Sequence, residues 1–115
     1  MKIPRILIVL LLGTASSLSA QLTPTTTTLS SSLNPSIYGQ PVTFTAVVTP
    51  APPNGETVSF MKGKTVLGTG SLNGGSAAFT TSTLHVGTPH VKAVYGGDLI
   101  FEGSTSNAVK QVVER

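Results

Sequence analysis

The sequence contains no cysteine and no tryptophan, and only 10% of its residues are charged. Without cysteine the chain cannot form disulfides, so a domain of this size must be held together by packing and hydrogen bonds alone. Without tryptophan it is poorly supplied for an aromatic sugar-binding platform. After residue 20 there is also no long run of Ala, Leu, Glu and Lys with helical periodicity, which excludes an α-helical domain.

Basic residues are few and dispersed along the sequence. The chain has seven basic and four acidic residues. Lys2 and Arg5 lie in a segment that we expect to be removed on export, which leaves five basic and four acidic residues and a net charge of +1. Nucleic-acid-binding proteins cluster lysine and arginine to neutralise phosphates. The dispersed charge therefore predicts a protein that does not bind nucleic acid.

Residues 1–20 have the order of a secretory signal peptide. A basic start precedes the unbroken apolar run ILIVLLL, and a small, polar segment follows. The run is far shorter than the roughly 20 residues that span a bilayer, which disfavours the alternative of an uncleaved membrane anchor. We expect cleavage between Ala20 and Gln21, with a cut after Ser19 as the alternative. Residues 21–115 then form one domain that is secreted, periplasmic or at the cell surface.

Short alternating runs between turn residues indicate β-strands in the rest of the chain. In VTFTAVVTP, the apolar residues Val42, Phe44 and Ala46 alternate with threonines or valine. Asn54 and Gly55 then supply the positive φ angles of a tight turn. About seven such runs, with turn signals every ~8–12 residues, predict an antiparallel β-sandwich. We expect its core to contain an aromatic residue from each of four strands: Phe44, Phe60, Phe79 and Tyr95.

Three stretches of the chain, taken in order, match one known family. They are TTTTLSSSLNPSIYGQPVTFTAVVTP, GETVSFMKGKTVLGTGSLNGGSAAFTTSTLHVGTPHVKAVYGGD and FEGSTSNAVKQVV, and they lie within residues 24–113. In these stretches the chain resembles bacterial immunoglobulin-like domains of the Ig-like domain repeat type. The resemblance implies a seven-stranded sandwich exported to the cell surface or beyond, and it assigns no catalytic residue. Members usually stand in tandem as stalks of adhesins, whereas this sequence shows one copy, so we expect no long stalk from it alone.

The segment GGDLIFEG has two interpretations. As a loop between the last two strands, its glycines let the backbone bend and Asp98 hydrogen-bonds local amides. As a calcium site, Asp98 and Glu102 would face one cation together with backbone carbonyls. Calcium takes about six to eight oxygen ligands and only these two carboxylates are nearby in the sequence, so we favour the loop.

Other candidate sites lack the residues that their chemistry needs. His85 and His90 bracket VGTP, but a zinc site needs about three or four ligands and neither cysteine nor a third histidine exists. The glycines of GTGSLNG have the wrong spacing for a dinucleotide loop and no helical pattern follows, so we expect a strand and a turn. No serine stands in a Gly-x-Ser-x-Gly motif. We therefore expect no enzyme activity, no metal and no cofactor.

The sequence alone thus predicts a non-enzymatic, exported Ig-like domain that acts as an interaction or adhesion module at the bacterial cell envelope. Its partner would be an envelope protein or a surface glycan, bound at an exposed sheet edge or at the end loops. The expected edges are the threonine-rich first strand and the last strand, where Lys110 would discourage unwanted pairing. The alternatives are a purely structural stalk-type repeat and a calcium-dependent adhesive domain.

Overall fold

The computed structural model describes residues 21–115, which form ten β-strands and no helix. The strands are β1 Thr26–Ser31, β2 Ser36–Ile37, β3 Val42–Thr49, β4 Thr57–Lys62, β5 Thr65–Ser71, β6 Ser76–Thr81, β7 His90–Tyr95, β8 Ser104–Thr105, β9 Val109–Lys110 and β10 Val113–Glu114. The predicted signal peptide, including Ala20, lies outside the described residues. Within the part of the chain that the structure describes, no helix is long and apolar enough to cross a membrane.

Two antiparallel sheets make up the fold. One sheet has the strand order β1-β3-β6, and the other has the order β5-β4-β7-β8, with β9 also paired to β7. A short parallel pair joins β2 to β10. The predicted all-β, Ig-like antiparallel sandwich is therefore confirmed.

The predicted last strand is divided into the short pieces β8, β9 and β10. Ser106, between β8 and β9, is buried, and its hydroxyl accepts a hydrogen bond from the Ala93 N–H at 2.8 Å. The same hydroxyl donates to the carbonyl oxygen of Asn107 at 2.8 Å. A side chain thus replaces a main-chain partner beside β7, which interrupts the ladder that the sequence predicted as continuous.

The hydrophobic core lies between the two sheets, on the side chains that alternation assigned to it. Its buried members are Leu29, Val42, Phe44, Ala46, Val48, Val58, Phe60, Leu72, Ala77, Leu84, Val91, Ala93, Tyr95 and Val113. Each large apolar side chain buried here contributes about 1.5–3 kcal/mol to stability. Three of the four predicted core aromatics are fully or almost fully enclosed.

Phe79, the fourth, is only partly buried, so the prediction that it lies within the core is confirmed only in part. It packs against the core, and its ring is stacked on that of Phe60 with 5.6 Å between the ring centroids. β6 is an edge strand, so Phe79 lies at the side of the sandwich rather than at its centre. A Cβ on Gly68 of β5 would overlap the Phe79 ring, so glycine at that position lets the two sheets approach closely. The glycine run is a strand and a turn, as expected.

β1 and the β8–β9 segment are edges of their sheets, as predicted, but side chains bridge them. The hydroxyls of Thr25 and Thr27 hydrogen-bond that of Ser104 at 2.8 and 2.6 Å. The Asn107 amide accepts from the Leu29 N–H at 2.9 Å and donates to the Leu29 carbonyl oxygen at 3.1 Å. This side therefore has fewer free backbone groups for an incoming strand than the sequence suggested.

The start and the finish of the domain lie at opposite ends of the sandwich. Thr23 is hydrogen-bonded to the 96–103 loop, through its N–H to the Ile100 carbonyl oxygen at 2.8 Å. Val113 exchanges two hydrogen bonds with Gly87 in the loop between β6 and β7. We call these the N-terminal end, with loops 50–56, 72–75 and 96–103, and the C-terminal end, with loops 32–41, 63–64 and 82–89.

Candidate functional site

A cavity at the C-terminal end has a volume of about 370 Å³. We call it the C-terminal pocket. Its lining residues are Lys62, Thr65, Leu67, Thr81, Thr83, Leu84, His85, Val86, Gly87, Thr88 and Pro89. Small-molecule and peptide-anchor sites generally occupy roughly 300–1,000 Å³. The C-terminal pocket therefore has room for one or two side chains or a small ligand.

The β4–β5 hairpin, the end of β6 and the 82–89 loop build the C-terminal pocket. The β4–β5 hairpin turns at Gly63, whose φ of 60° is in the left-handed region that glycine tolerates. The 82–89 loop forms the opposite wall and is fixed to the end of the chain. Gly87 and Val113 exchange N–H···O bonds of 2.9 and 2.8 Å, and the Gln111 N–H donates to the Pro89 carbonyl oxygen at 2.9 Å. The pocket wall is thus anchored to the last strand.

Gln111 supports this anchoring from the interior. Its side chain is fully buried. The Ser31 hydroxyl donates to Gln111 Oε1 at 2.6 Å, and Gln111 Nε2 donates to the Leu33 carbonyl oxygen at 2.7 Å. A buried amide without partners would be strongly destabilising, so these bonds fix the last strand to the loop after β1. Sequence reasoning missed Gln111 because a lone polar residue in a strand usually faces solvent.

The lining of the C-terminal pocket combines an apolar floor with polar walls. Leu84 is buried and Leu67 packs against the core, and the lining residues also include four threonines and Lys62. The lining residues include no Asp or Glu and no Phe, Tyr or Trp. A catalytic serine or threonine needs a base that is held by a third group, and His85 has no acidic neighbour in this lining to play that part. The chemistry suits binding of an apolar group flanked by negative charge.

The 96–103 loop at the other end is a hydrogen-bonded bend. Asp98 Oδ1 accepts hydrogen bonds from the N–H groups of Ile100 and Phe101, each at 2.7 Å. Gly97 has a φ of 84°, and a Cβ there would lie 2.6 Å from the Gly103 nitrogen. The Asp98 side chain therefore bonds amides of its own loop, as the loop interpretation expected.

Comparison with known protein families agrees with this architecture. The family model for the bacterial Ig-like domain (group 3) matches residues 14–114. The chain is a bacterial Ig-like domain. The matched range begins inside the predicted signal peptide and includes all ten strands. It ends one residue before the end of the sequence, at residue 114. No curated protein and no solved structure matches the sequence significantly. Domains of this family are generally non-catalytic.

The Ig-like domain brings Asp98 close to Glu56, a residue that sequence reasoning did not single out. The Tyr95 hydroxyl donates to Glu56 Oε1 at 2.6 Å. A hydrogen bond with Asp98 raises the pKa of Glu56 above its usual value, and the bond from Tyr95 opposes that shift. The Glu56 bond, followed by those from the Phe101 and Ile100 N–H groups, lowers the pKa of Asp98. Burial raises the pKa of the Tyr95 phenol, and its hydrogen bond to Glu56 raises that pKa further.

This arrangement has a simple chemical meaning. Glu56 holds a proton more readily than an isolated carboxyl, so where the pair carries one proton Glu56 is its donor and Asp98 its acceptor. The Glu56–Asp98 contact joins the 96–103 loop of the Ig-like domain to the residue before β4. The turn NGE, directly before a strand, was the only signal in the sequence for this contact.

The calcium candidates Asp98 and Glu102 have different surroundings. Asp98 faces Glu56 and its own loop amides. The backbone of Glu102 is paired with the N-terminal segment: its N–H donates to the Thr23 carbonyl oxygen at 2.8 Å, and its carbonyl oxygen accepts from the Thr25 hydroxyl at 2.8 Å. Across residues 21–115, no three His, Cys, Asp or Glu side chains are grouped so that they could hold a metal ion.

The two histidines of the Ig-like domain lie at the C-terminal end. His85 lines the C-terminal pocket, and His90 begins β7, where it pairs with Lys110 of β9. Both side chains are exposed. The sequence pattern indicated a loop residue and a strand-end residue. The structure shows in addition that His85 lines the C-terminal pocket.

Proposed function

We propose that this bacterial Ig-like domain is an exported, non-enzymatic interaction module of the cell envelope that binds its partner at the C-terminal pocket. The observation that carries the proposal is the pocket itself, with an apolar floor of Leu67 and Leu84 beside the Lys62 ammonium. A floor of this kind accepts an apolar side chain, and Lys62 adds attraction for a neighbouring carboxylate.

An acidic segment of an envelope protein fits the C-terminal pocket better than a surface glycan does. Glycan-binding sites commonly stack sugars on Trp, Tyr or Phe rings, and the lining residues include none of these three. The main-chain edges of β1 and β8–β9 are bridged by Thr25, Thr27 and Asn107, so strand addition there is less favourable than binding at the end loops.

A capture experiment tests the proposal. The exported chain, immobilised, is incubated with envelope and secreted fractions of the producing organism, and purified wall glycan is tested separately. We expect a saturable protein partner whose capture falls about tenfold in Lys62→Glu, since reversing one charge at the rim of a pocket changes affinity by roughly 1–2 kcal/mol. Lys92→Glu is the matched control, because Lys92 is exposed on β7 and outside the lining. Equal capture by both variants would contradict the proposed site.

Export itself has a separate test. We propose that the segment 1–20 is removed, so that the mature chain begins at Gln21. Mass measurement of the protein recovered outside the cytoplasm should give the chain without these residues, or the chain cut after Ser19. Recovery of the intact precursor in the membrane fraction would support the anchor alternative instead.

A structural stalk-type role is the second candidate, and one observation favours it. The start and the finish of the domain lie at opposite ends, as an element of a linear array requires. For this role we expect no saturable partner in the capture experiment from any fraction. Lys62-dependent capture would argue against a purely structural role.

Calcium-dependent adhesion stays a prediction that rests on Asp98 and Glu102. A ligand that binds only the native state raises the melting temperature. If calcium is bound, excess calcium should raise the melting temperature of the exported chain, and Asp98→Asn should remove the increase. An unchanged melting temperature would exclude this alternative.

A further inference from the structure

Charged residues are segregated between the two ends of the sandwich, although they are dispersed in the sequence. The N-terminal end carries Glu56, Asp98 and Glu102. The C-terminal end carries Lys62, Lys64, Lys110 and Arg115, together with Glu114. The strand pairings fix this placement, because β4 runs from the N-terminal end at Thr57 to the C-terminal end at Lys62 and every neighbouring strand runs the opposite way. The molecule therefore has one acidic end and one basic end.

The acidic end also carries the most exposed apolar residues of the described chain. Leu99 is 94% exposed and Ile100 is 61% exposed, and both lie between Asp98 and Glu102 in the 96–103 loop. The loop is held by the hydrogen bonds of Asp98 and by the bond from Thr23 to the Ile100 carbonyl oxygen. A loop that is already ordered loses little conformational entropy on binding, which favours association.

The basic end has the complementary shape. The C-terminal pocket is concave, has Leu84 and Leu67 at its floor, and has room for about two side chains within its 370 Å³. Lys62 is in the lining and Lys64 follows it in the hairpin turn. An apolar projection flanked by acidic residues thus matches an apolar depression flanked by basic ones.

From this match we infer that copies of the chain associate head to tail, with Leu99 and Ile100 of one copy seated in the C-terminal pocket of the next. The inference rests on the proposed function in so far as it uses the same pocket, and it names one occupant for it. Because the two contacting surfaces differ, the contact does not close on itself as a two-fold dimer does, and it generates open chains. The last copy of such a chain keeps a free pocket for an envelope partner.

The geometry of the chain ends is compatible with this stacking. Thr23 lies beside Ile100, and Val113 lies beside Gly87 of the C-terminal pocket. Each junction would therefore place the end of one chain near the start of the next. The contact surface is limited to two loop ends, so we expect weak association that becomes visible at high protein concentration.

Sedimentation of the exported chain tests the inference. We expect the average mass to increase with concentration up to about 1 mM and to exceed that of two copies, with association weakened by added salt. Leu99→Ser combined with Ile100→Ser should lower the association constant about 100-fold or more, because two apolar side chains lose their burial. Lys62→Glu should lower it about tenfold.

Control variants separate this mechanism from others. Val47→Ser removes a half-exposed valine from the outer face of β3, outside both the 96–103 loop and the C-terminal pocket, and should leave association unchanged. The Leu99/Ile100 double variant keeps a working pocket, and Lys62→Glu keeps a working loop. Mixing these two variants should restore one kind of contact and produce pairs that grow no further. Unchanged melting temperatures would show that the exposed substitutions leave the fold intact.

Three results would overturn the inference: a mass that saturates at two copies, equal weakening by Val47→Ser, or a monomer at every concentration. A strict monomer that still captures an envelope protein through Lys62 would overturn the stacking and leave the proposed function standing. Self-association without capture of any envelope partner would overturn the proposed function and leave the stacking standing.

Discussion

The two ends of this Ig-like sandwich are built from the same kinds of turn but differ in shape and charge. At the N-terminal end, the 96–103 loop projects Leu99 and Ile100 and is fixed by carboxylates. At the C-terminal end, the 82–89 loop folds back to line a pocket beside Lys62. The sheets between them supply a common scaffold. The comparison shows how one rigid fold can present two different surfaces through its loops.

Glycine substitutions should give the largest difference between the two ends in the free energy of unfolding that is lost. Gly97→Ala places a Cβ 2.6 Å from the Gly103 nitrogen and 2.9 Å from the Phe101 carbonyl oxygen, at a φ of 84°. We expect a loss of about 3 kcal/mol or more in the free energy of unfolding, because strain and a backbone clash act together.

The matched change at the C-terminal end is Gly87→Ala. Gly87 has a φ of 140°, and a Cβ there would have no neighbouring atom within 4 Å. We expect a smaller loss of about 1–2 kcal/mol, from backbone strain alone. Urea denaturation measures both variants. Equal losses would mean that the 96–103 loop relaxes without resistance and is not the fixed projection described above.

Asparagine substitutions should give an intermediate effect. Asn34 at the C-terminal end donates to the Lys110 carbonyl oxygen and accepts from the Val112 N–H, both at 2.9 Å. Asn54 at the N-terminal end accepts one bond, from the Gly74 N–H at 2.9 Å. We expect Asn34→Ala to cost about 1.5 kcal/mol and Asn54→Ala about 0.5 kcal/mol, in proportion to the bonds lost. A reversed order in thermal denaturation would contradict this account of the ends.

The Glu56–Asp98 pair should give the smallest effect, visible as a pH dependence. The pKa of Glu56 is raised in the folded protein, so its contribution to stability is full below its ordinary value of 4.5 and is lost as the pH rises through the folded pKa. The pKa of Asp98 is lowered, so its contribution is full above its ordinary value of 3.8 and is lost as the pH falls. The pair is therefore most stabilising between these two values.

Glu56→Gln isolates this contribution, since the amide keeps both hydrogen bonds but cannot titrate. Relative to the natural chain, its melting temperature should decline less as the pH rises above about 4.5. Glu102→Gln removes another acid of the same end and is the control. If both variants followed the same pH profile as the natural chain, the shared proton would have no role in stability.

Much of the fold could be predicted from local patterns. The alternation in β3 and β7 identified Val42, Phe44, Val91 and Ala93 as core residues, and all four are buried. Alternation works there because both strands are flanked by partners and cover one face only. It was less reliable for Phe79 on the edge strand β6. It could not foresee the break at Ser106, because that break depends on a side-chain hydrogen bond across the sheet.

The candidate site could be predicted only in part. Lys62 and His85 are far apart in the sequence, and no local motif indicates that both line one pocket. The order of turns does contain a signal, since successive loops of an antiparallel sandwich alternate between its ends. The prediction of dispersed basic charge missed this alternation, which gathers Lys62, Lys64, Lys110 and Arg115 at one end. The absence of nucleic-acid binding accordingly stays a prediction, supported by the net charge of +1 that residues 21–115 carry.

The most direct test of the complementarity between the two ends is the concentration dependence of the backbone amide chemical shifts of residues 21–115. We expect the amides of Leu99 and Ile100 and those of residues 84–88 to shift together as the concentration rises, while the amides of β3 stay in place. Shifts at one end only, or on the faces of the sheets, would contradict the account.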